Sequence, residues 1–145
     1  MGVRKKQMAE RIKEEKKQLA FAKLNDCPTS PRKMRLVADL VRGQDVENAL
    51  AILRFSTKEA SRRLEKLLLS AIANWQNKNE GARIEESNLV VKEAKVDVSR
   101  TLKRIQPAPQ GRAHRIKKRS NHVTVVIASQ NATEEEIVQE TENKA

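Results

Sequence analysis

Three observations predict an α+β fold, a small antiparallel three-stranded sheet packed on three helices in the order strand, three helices, two strands, with a long protruding β-hairpin. Between positions 34 and 75 apolar residues recur at helical spacing. Two later runs, 89–98 and 122–128, are rich in valine and other β-formers. Between those runs lies 100–119, RTLKRIQPAPQGRAHRIKKR, with the turn signal Pro107-Ala108-Pro109-Gln110-Gly111 at its centre.

The chain divides into a charged N-terminal extension (1–18), one globular domain with its hairpin (19–129) and an acidic tail (130–145). Residues 1–18 are mostly Lys, Arg, Glu and Gln, with Met8 and Ile12 on one helical face. That stripe is too thin to bury much, so the segment is expected to be a solvated helix, or a basic arm that orders on nucleic acid. Residues 19–24 form a short first strand. Ser30 suits an N-cap and Pro31 the first helical position. Met34, Val37, Leu40 and Val41 then mark the buried face of a helix that Gly43 is placed to end.

Asp45 can cap a second, short helix carrying Val46, Ala49, Leu50 and Leu53. Ser56-Thr57-Lys58-Glu59 has capping-box spacing for a third. The third helix has the stripe Ala60, Leu64, Leu67, Leu68, Ala71, Ile72 and Trp75, which makes Trp75 a packing residue. Residues 77–86 are a polar connection. In the tail, Glu134, Glu135, Glu136, Glu140 and Glu142 have little to pack against, and a mobile segment is expected.

The hairpin is the unusual part. It is expected to leave the body over about 98–122, with its tip near 105–111. Some 18 residues separate position 89 from the turn, on the order of 60 Å at ~3.3 Å each, longer than a domain of this size is wide. Arg100, Lys103, Arg104, Arg112, Arg115, Lys117, Lys118 and Arg119 lie in it with no acidic residue between them. Strand alternation puts Arg100, Leu102 and Arg104 on one face of the outgoing arm and Thr101, Lys103 and Ile105 on the other. The return arm has Arg112, His114, Ile116 and Lys118 on one side and Arg115, Lys117 and Arg119 on the other. A ribbon with charge on both faces cannot fold on its own apolar surface. It is either disordered in water or held in a slot with anionic walls.

Composition favours the slot. The net charge is +11 and the pI about 10.1, pointing to a polyanionic partner. Two phenylalanines, one tryptophan and no tyrosine are too few rings for recognition of single strands by base stacking, which leaves phosphate and groove shape. Arg32, Lys33 and Arg35 crowd the positive end of a helix dipole, where each cation costs roughly 0.3–1 kcal/mol. A phosphate bound at that helix start would reverse the sign; long side chains splayed into water are the alternative. No apolar run is long enough to span a membrane, and no signal peptide is visible. Cys27 is the only cysteine, so no intrachain disulfide or cysteine-cluster zinc site is possible, and a reducing cytoplasm is expected.

Catalysis is not expected, and neither is a metal or cofactor. His114 and His122 have no carboxylate at ligand or general-base spacing, Asp26 is simplest as a turn residue, and Gly2, Gly43, Gly81 and Gly111 form no phosphate-cradling loop.

Several of these segments together resemble one family. Ser30-Pro31-Arg32-Lys33-Met34-Arg35-Leu36-Val37-Ala38-Asp39-Leu40-Val41-Arg42-Gly43 is similar to the first helix of the bacterial large-subunit ribosomal protein number twenty-two. Ser70-Ala71-Ile72-Ala73-Asn74, Leu102-Lys103-Arg104-Ile105, Gly111-Arg112-Ala113 and Lys118-Arg119-Ser120-Asn121-His122-Val123-Thr124-Val125-Val126 follow in the family's order and spacing. The resemblance spans about 19–129. It implies a body near the exit of the nascent-chain tunnel, a hairpin running through 23S ribosomal RNA, and a tip in the tunnel wall beside large-subunit protein number four. It also implies a part in early subunit assembly and contact with the nascent polypeptide. Arg32, Lys33, Arg35, Arg100, Lys103, Arg104, Arg112, Arg115, Lys117, Lys118 and Arg119 are the expected RNA contacts. Leu102, Lys103, Arg104, Pro107, Pro109, Gly111 and Arg112 are the expected tunnel-lining set. Leu102-Lys103-Arg104 match the family segment whose loss widens the tunnel and relieves macrolide inhibition, and Arg112 matches a tip arginine that faces it. Ala108, Pro109 and Gln110 stand where the family usually carries basic residues, so this tip is poorer in charge.

Two other classes compete with a structural ribosomal protein. Basic β-arms tipped by proline enter minor grooves in architectural DNA-binding proteins, where Pro107 or Pro109 would be the wedge. Those proteins normally pair two arms by dimerising, and the third-helix stripe predicts no self-complementary surface. A nuclease would need clustered carboxylates for metal ions, and here the acids are scattered or confined to the tail.

Overall fold

The two valine-rich runs pair with each other, and the rest of the molecule is arranged on them. The computed structural model describes residues 2–79 and 87–129. In it β2 (Leu89–Pro107) and β3 (Ala113–Ser129) form one antiparallel hairpin. The first strand, β1 (Ala20–Cys27), pairs antiparallel with β3, so the sheet order is β1-β3-β2 and β3 is central. The strand extends three residues beyond the expected end at position 24. It crosses an irregular step between Leu24 and Cys27, where Asp26 takes a left-handed φ of 51°. A polar Asn25-Asp26 pair gives no strand signal, and the strand is carried past it by the pairing of Cys27 with Asn121.

Among the described residues, four helices precede the hairpin: α1 (Val3–Gln18), α2 (Pro31–Val41), α3 (Val46–Phe55) and α4 (Glu59–Lys78). Three of them are those expected for the body. The fourth, α1, is the charged extension, and its side chains are exposed from Val3 to Glu14, Met8 and Ile12 included. α2 and α4 pack on one face of the sheet, and α3 packs against both of them. Between these layers lie Met34, Val37 and Val41 of α2, Leu53 of α3, Leu64 and Leu68 of α4, and Val91, Val123, Val125 and Ile127 of the sheet, all at most 1% exposed. Each such side chain contributes roughly 1.5–3 kcal/mol on burial.

The stripe of α4 is buried at every expected position, Trp75 among them. The stripe of α2 differs at one: Leu40 is 49% exposed and Ala38 is buried instead. On α3, Leu50 is only half-buried against the core. Caps differ more. Ser56 closes α3, and its hydroxyl accepts from the Lys58 N–H at 3.5 Å, so α4 begins at Glu59 with Lys58 in the cap position and no capping box. Glu59 instead binds Arg63 at 2.9 Å, one turn on. Neither Ser30 nor Asp45 makes a side-chain cap bond.

Both sheet edges are covered inside the body. Gly43, at φ 75°, turns the chain after α2 so that its N–H reaches the Val91 carbonyl at 2.9 Å, while the Val91 N–H reaches Gln44 at 3.0 Å. On the opposite edge, Asn74 and Lys78 of α4 donate to the carbonyls of Phe21 in β1 and of Leu19 just before it, at 3.0 and 2.6 Å. Such cover prevents edge-to-edge pairing with other chains. The polar connection over 80–86 and the acidic tail over 130–145 lie outside the described residues.

Candidate nucleic-acid interface

The hairpin changes character where β1 stops. From Thr101 paired with Arg119 to Pro107 paired with Ala113, seven residue pairs continue the β2–β3 ladder without a third strand. At about 3.3 Å per residue this part reaches on the order of 20 Å from its root. Every residue from Leu102 to Arg119 is exposed except Ala108, which is half-buried in the turn. The turn is closed by the Ala108 N–H donating to the Arg112 carbonyl at 2.8 Å. Gln110 and Gly111 both sit in the left-handed region, at φ 62° and 70°. Glycine takes that conformation without penalty, which accounts for Gly111 at this point of the turn.

Register fixes which cations share a face. Residues directly opposite each other lie on the same side of an antiparallel pair. One face therefore carries Lys103, Arg115, Lys117 and Arg119 with Ile105, and the other carries Arg104 and Lys118 with Leu102, Ile116 and His114. Both faces are charged, but unequally. On β3 the richer face continues the alternation of Val123, Val125 and Ile127, which line the core inside the body. Lys103 lies directly across from Lys117, a like-charge pair that destabilises a sheet. A two-stranded ribbon is marginal in water even without such repulsion. Anions against both faces would remove the repulsion.

The remaining expected contacts lie at the root. Arg32 and Lys33 are exposed in the first turn of α2. The residue before Ser30, Thr29, accepts a 2.6 Å bond from Asn121 of β3, which brings that helix start against the base of the ribbon. Arg35 is engaged within the fold: its Nε and Nη2 reach the Val96 carbonyl at 3.3 and 3.1 Å and fasten α2 to β2. Arg42 does the same at Ala94, at 2.8 Å, a role that spacing along the sequence did not reveal. Of the tunnel set, Pro109, Gly111 and Arg112 are in the turn and Pro107 in the last pair, whereas Leu102, Lys103 and Arg104 lie along the arm, with Lys103 on the opposite face from its two neighbours.

One histidine does meet a carboxylate, from a strand ninety-six positions away that spacing along the sequence could not indicate. The Nε2 of His122 is 3.9 Å from Asp26 Oδ1, and its Nδ1 accepts the Asp26 N–H at 3.1 Å. Asp26 also accepts from the Ser99 hydroxyl. The carboxyl is held below its ordinary pKa of 3.8, chiefly by that hydroxyl, then by His122 and Arg100, with burial opposing. Serine, histidine and aspartate here do not make a nucleophile. The serine proton is directed at the carboxylate and not at the imidazole, and His122 Nδ1 is occupied by a backbone N–H. Among the described residues no group of three or more His, Cys, Asp or Glu side chains is placed to hold a metal ion. No described helix is long and apolar enough to cross a membrane.

Comparison with known proteins decides the family. The family model described as ribosomal protein L22p/L17e matches residues 22–128, the sheet, α2 to α4 and the whole ribbon. The chain belongs to the ribosomal protein L22p/L17e family. It is 71% identical over 134 residues to the large ribosomal subunit protein uL22 of Christiangramia forsetii, covering 92% of this chain and 99% of that one. The uL22 of Flavobacterium johnsoniae is 68% identical over 134 residues (92% and 98% covered), and that of Bacteroides fragilis 57% over 136 (94% and 99%). As an L22p/L17e protein the chain is a structural constituent of the large ribosomal subunit and not an enzyme. The reading as an architectural DNA-binding protein gains no support from these comparisons.

Proposed function

We propose that this L22p/L17e protein binds 23S ribosomal RNA through its β2–β3 ribbon and the start of α2. In this reading the ribbon runs between RNA segments, its turn lines the nascent-polypeptide exit tunnel beside large-subunit protein number four, and the body sits near the tunnel exit. The protein works on cytoplasmic ribosomes, and by holding RNA segments together it aids subunit assembly. Residues 19–129 act as one domain, with 1–18 as a charged extension.

The observation that carries the RNA reading is the exposed ribbon, cationic on both faces with no acid from Arg100 to Arg119. Phosphates in contact with it release counterions and replace the repulsion across Lys103 and Lys117 with attraction. The placement in the tunnel rests on the match of Leu102-Lys103-Arg104 and Arg112 to the family's motifs. Here Ala108, Pro109 and Gln110 leave the turn nearly uncharged, so its part is to shape the wall and not to grip an anion. Sedimentation of tagged protein through high salt tests the assignment: it is expected to travel with large subunits, and recovery mainly on chromosomal DNA would sink it.

A further inference from the structure

All three strands meet at one point, where the ribbon leaves the body. β1 makes its last pair there, Cys27 with Asn121, after the irregular step at Asp26. On the other side of β3, pairing jumps from Val98–Asn121 to Thr101–Arg119, so Ser99 and Arg100 stand opposite Ser120 alone. This is a β-bulge, and bulges bend and twist the strand that carries them. Beyond it the arms are exposed from Leu102 to Arg119 except at Ala108 in the turn. The ribbon's angle to the body is therefore set at its root.

The side chains at that root are tied across the bulge. Asp26 takes the Ser99 hydroxyl on its carboxylate, gripping the outgoing arm. Its backbone N–H is held by His122 Nδ1 at 3.1 Å, gripping the return arm. One residue along, Asn121 is fully buried and donates to Thr29 at 2.6 Å, so the 26–29 turn meets β3 at a second place. The left-handed φ of Asp26 directs its N–H and carboxylate to two different strands at once. We infer that Asp26, Ser99 and His122 form a lock that aims the ribbon relative to the body, making all three positioning residues for whatever the ribbon binds. The lock itself stands on the geometry of the free chain. Only its consequence for RNA rests on the function proposed above.

The test is a distance between body and ribbon in the full-length free protein. Phe55 and Ile105 are 90% and 75% exposed and lie outside the basic set, so Phe55→Cys and Ile105→Cys can carry spin labels in a Cys27→Ser background. Electron–electron double resonance is expected to give one narrow distance for this parent. Ser99→Ala should broaden it while the body still unfolds in one cooperative thermal transition, and Ser99→Thr, which keeps the hydroxyl, should restore it. His122→Phe, which fills the ring's place without its acceptor nitrogen, should broaden it as well and serves if Ser99→Ala folds poorly. A parent distance that is already broad, or one that neither variant alters, overturns the lock. Because no RNA is present, either result leaves the RNA reading standing; RNA binding at parent strength by a variant whose distance has broadened would count against the consequence for RNA alone.

Discussion

Asp26 and His122 are ninety-six positions apart, and nothing in their local sequence announces that they touch. Asp26 was legible as a turn residue, since aspartate tolerates left-handed backbone and bonds locally. Its reach to Ser99 and His122 was not, because that depends on the irregular step in its own strand and on the bulge in β2. Short-range signals failed in the same way at Ser56, where the capping spacing was present but the serine was already used to end α3. The Asp26 carboxyl, held below 3.8 mainly by the Ser99 hydroxyl, gives a pH dependence with a definite sign. A carboxyl with a lowered folded pKa stabilises the fold at pH above its unfolded value and loses that contribution as pH falls through the folded one. The melting-temperature gap between the parent and Asp26→Asn should therefore be constant above about pH 5 and close as acid is added below 3.8. A gap that persists unchanged at pH 2 would mean that the charge on Asp26 is not what holds Ser99.

Whole elements were easier to read than their ends. The period of 3.6 buried the intended faces of α2, α3 and α4 with few exceptions, because an apolar stripe has only one place to go once a sheet is available. Leu40 is the exception that shows the limit: spacing puts it on the stripe, yet it is 49% exposed while Ala38 is buried. In the ribbon, alternation correctly gave two charged faces, but the pairing of faces across the arms required the register, which the bulge between Val98 and Thr101 sets. That register makes the anionic slot testable. Replacing Lys103, Lys117 and Arg119 by Gln removes three of the four cations of one face, and replacing Arg104 and Lys118 strips the other. Each lost phosphate contact should flatten the salt dependence of RNA binding by about one unit of slope. A slot predicts a loss of about three units in the first variant and about two in the second. If one variant keeps the parent slope, the ribbon lies on RNA with one face only.

At the scale of the molecule, folding and binding are divided between two parts of one sheet. The β3 strand runs through both: Val123, Val125 and Ile127 close the core, and Arg115, Lys117 and Arg119 continue the same alternation into solvent. Stability therefore comes from the helix-covered half, and the outer half adds exposed ladder bonds and charge repulsion. Removing the ribbon should cost the fold little. A chain in which an Asn-Gly turn replaces 101–119 keeps every buried side chain of the core and spares Ser99, Asn121 and His122 at the root. Its thermal midpoint should stay within a few degrees of the parent, a shift of ~1 kcal/mol or less for a domain of this size. The same chain should no longer sediment with large subunits through high salt, because the start of α2 alone offers too few cations to hold RNA there. Retained sedimentation would move the principal RNA contact from the ribbon to the body, whereas collapse of the midpoint would show that the ribbon stabilises the fold even though no core residue lies in it.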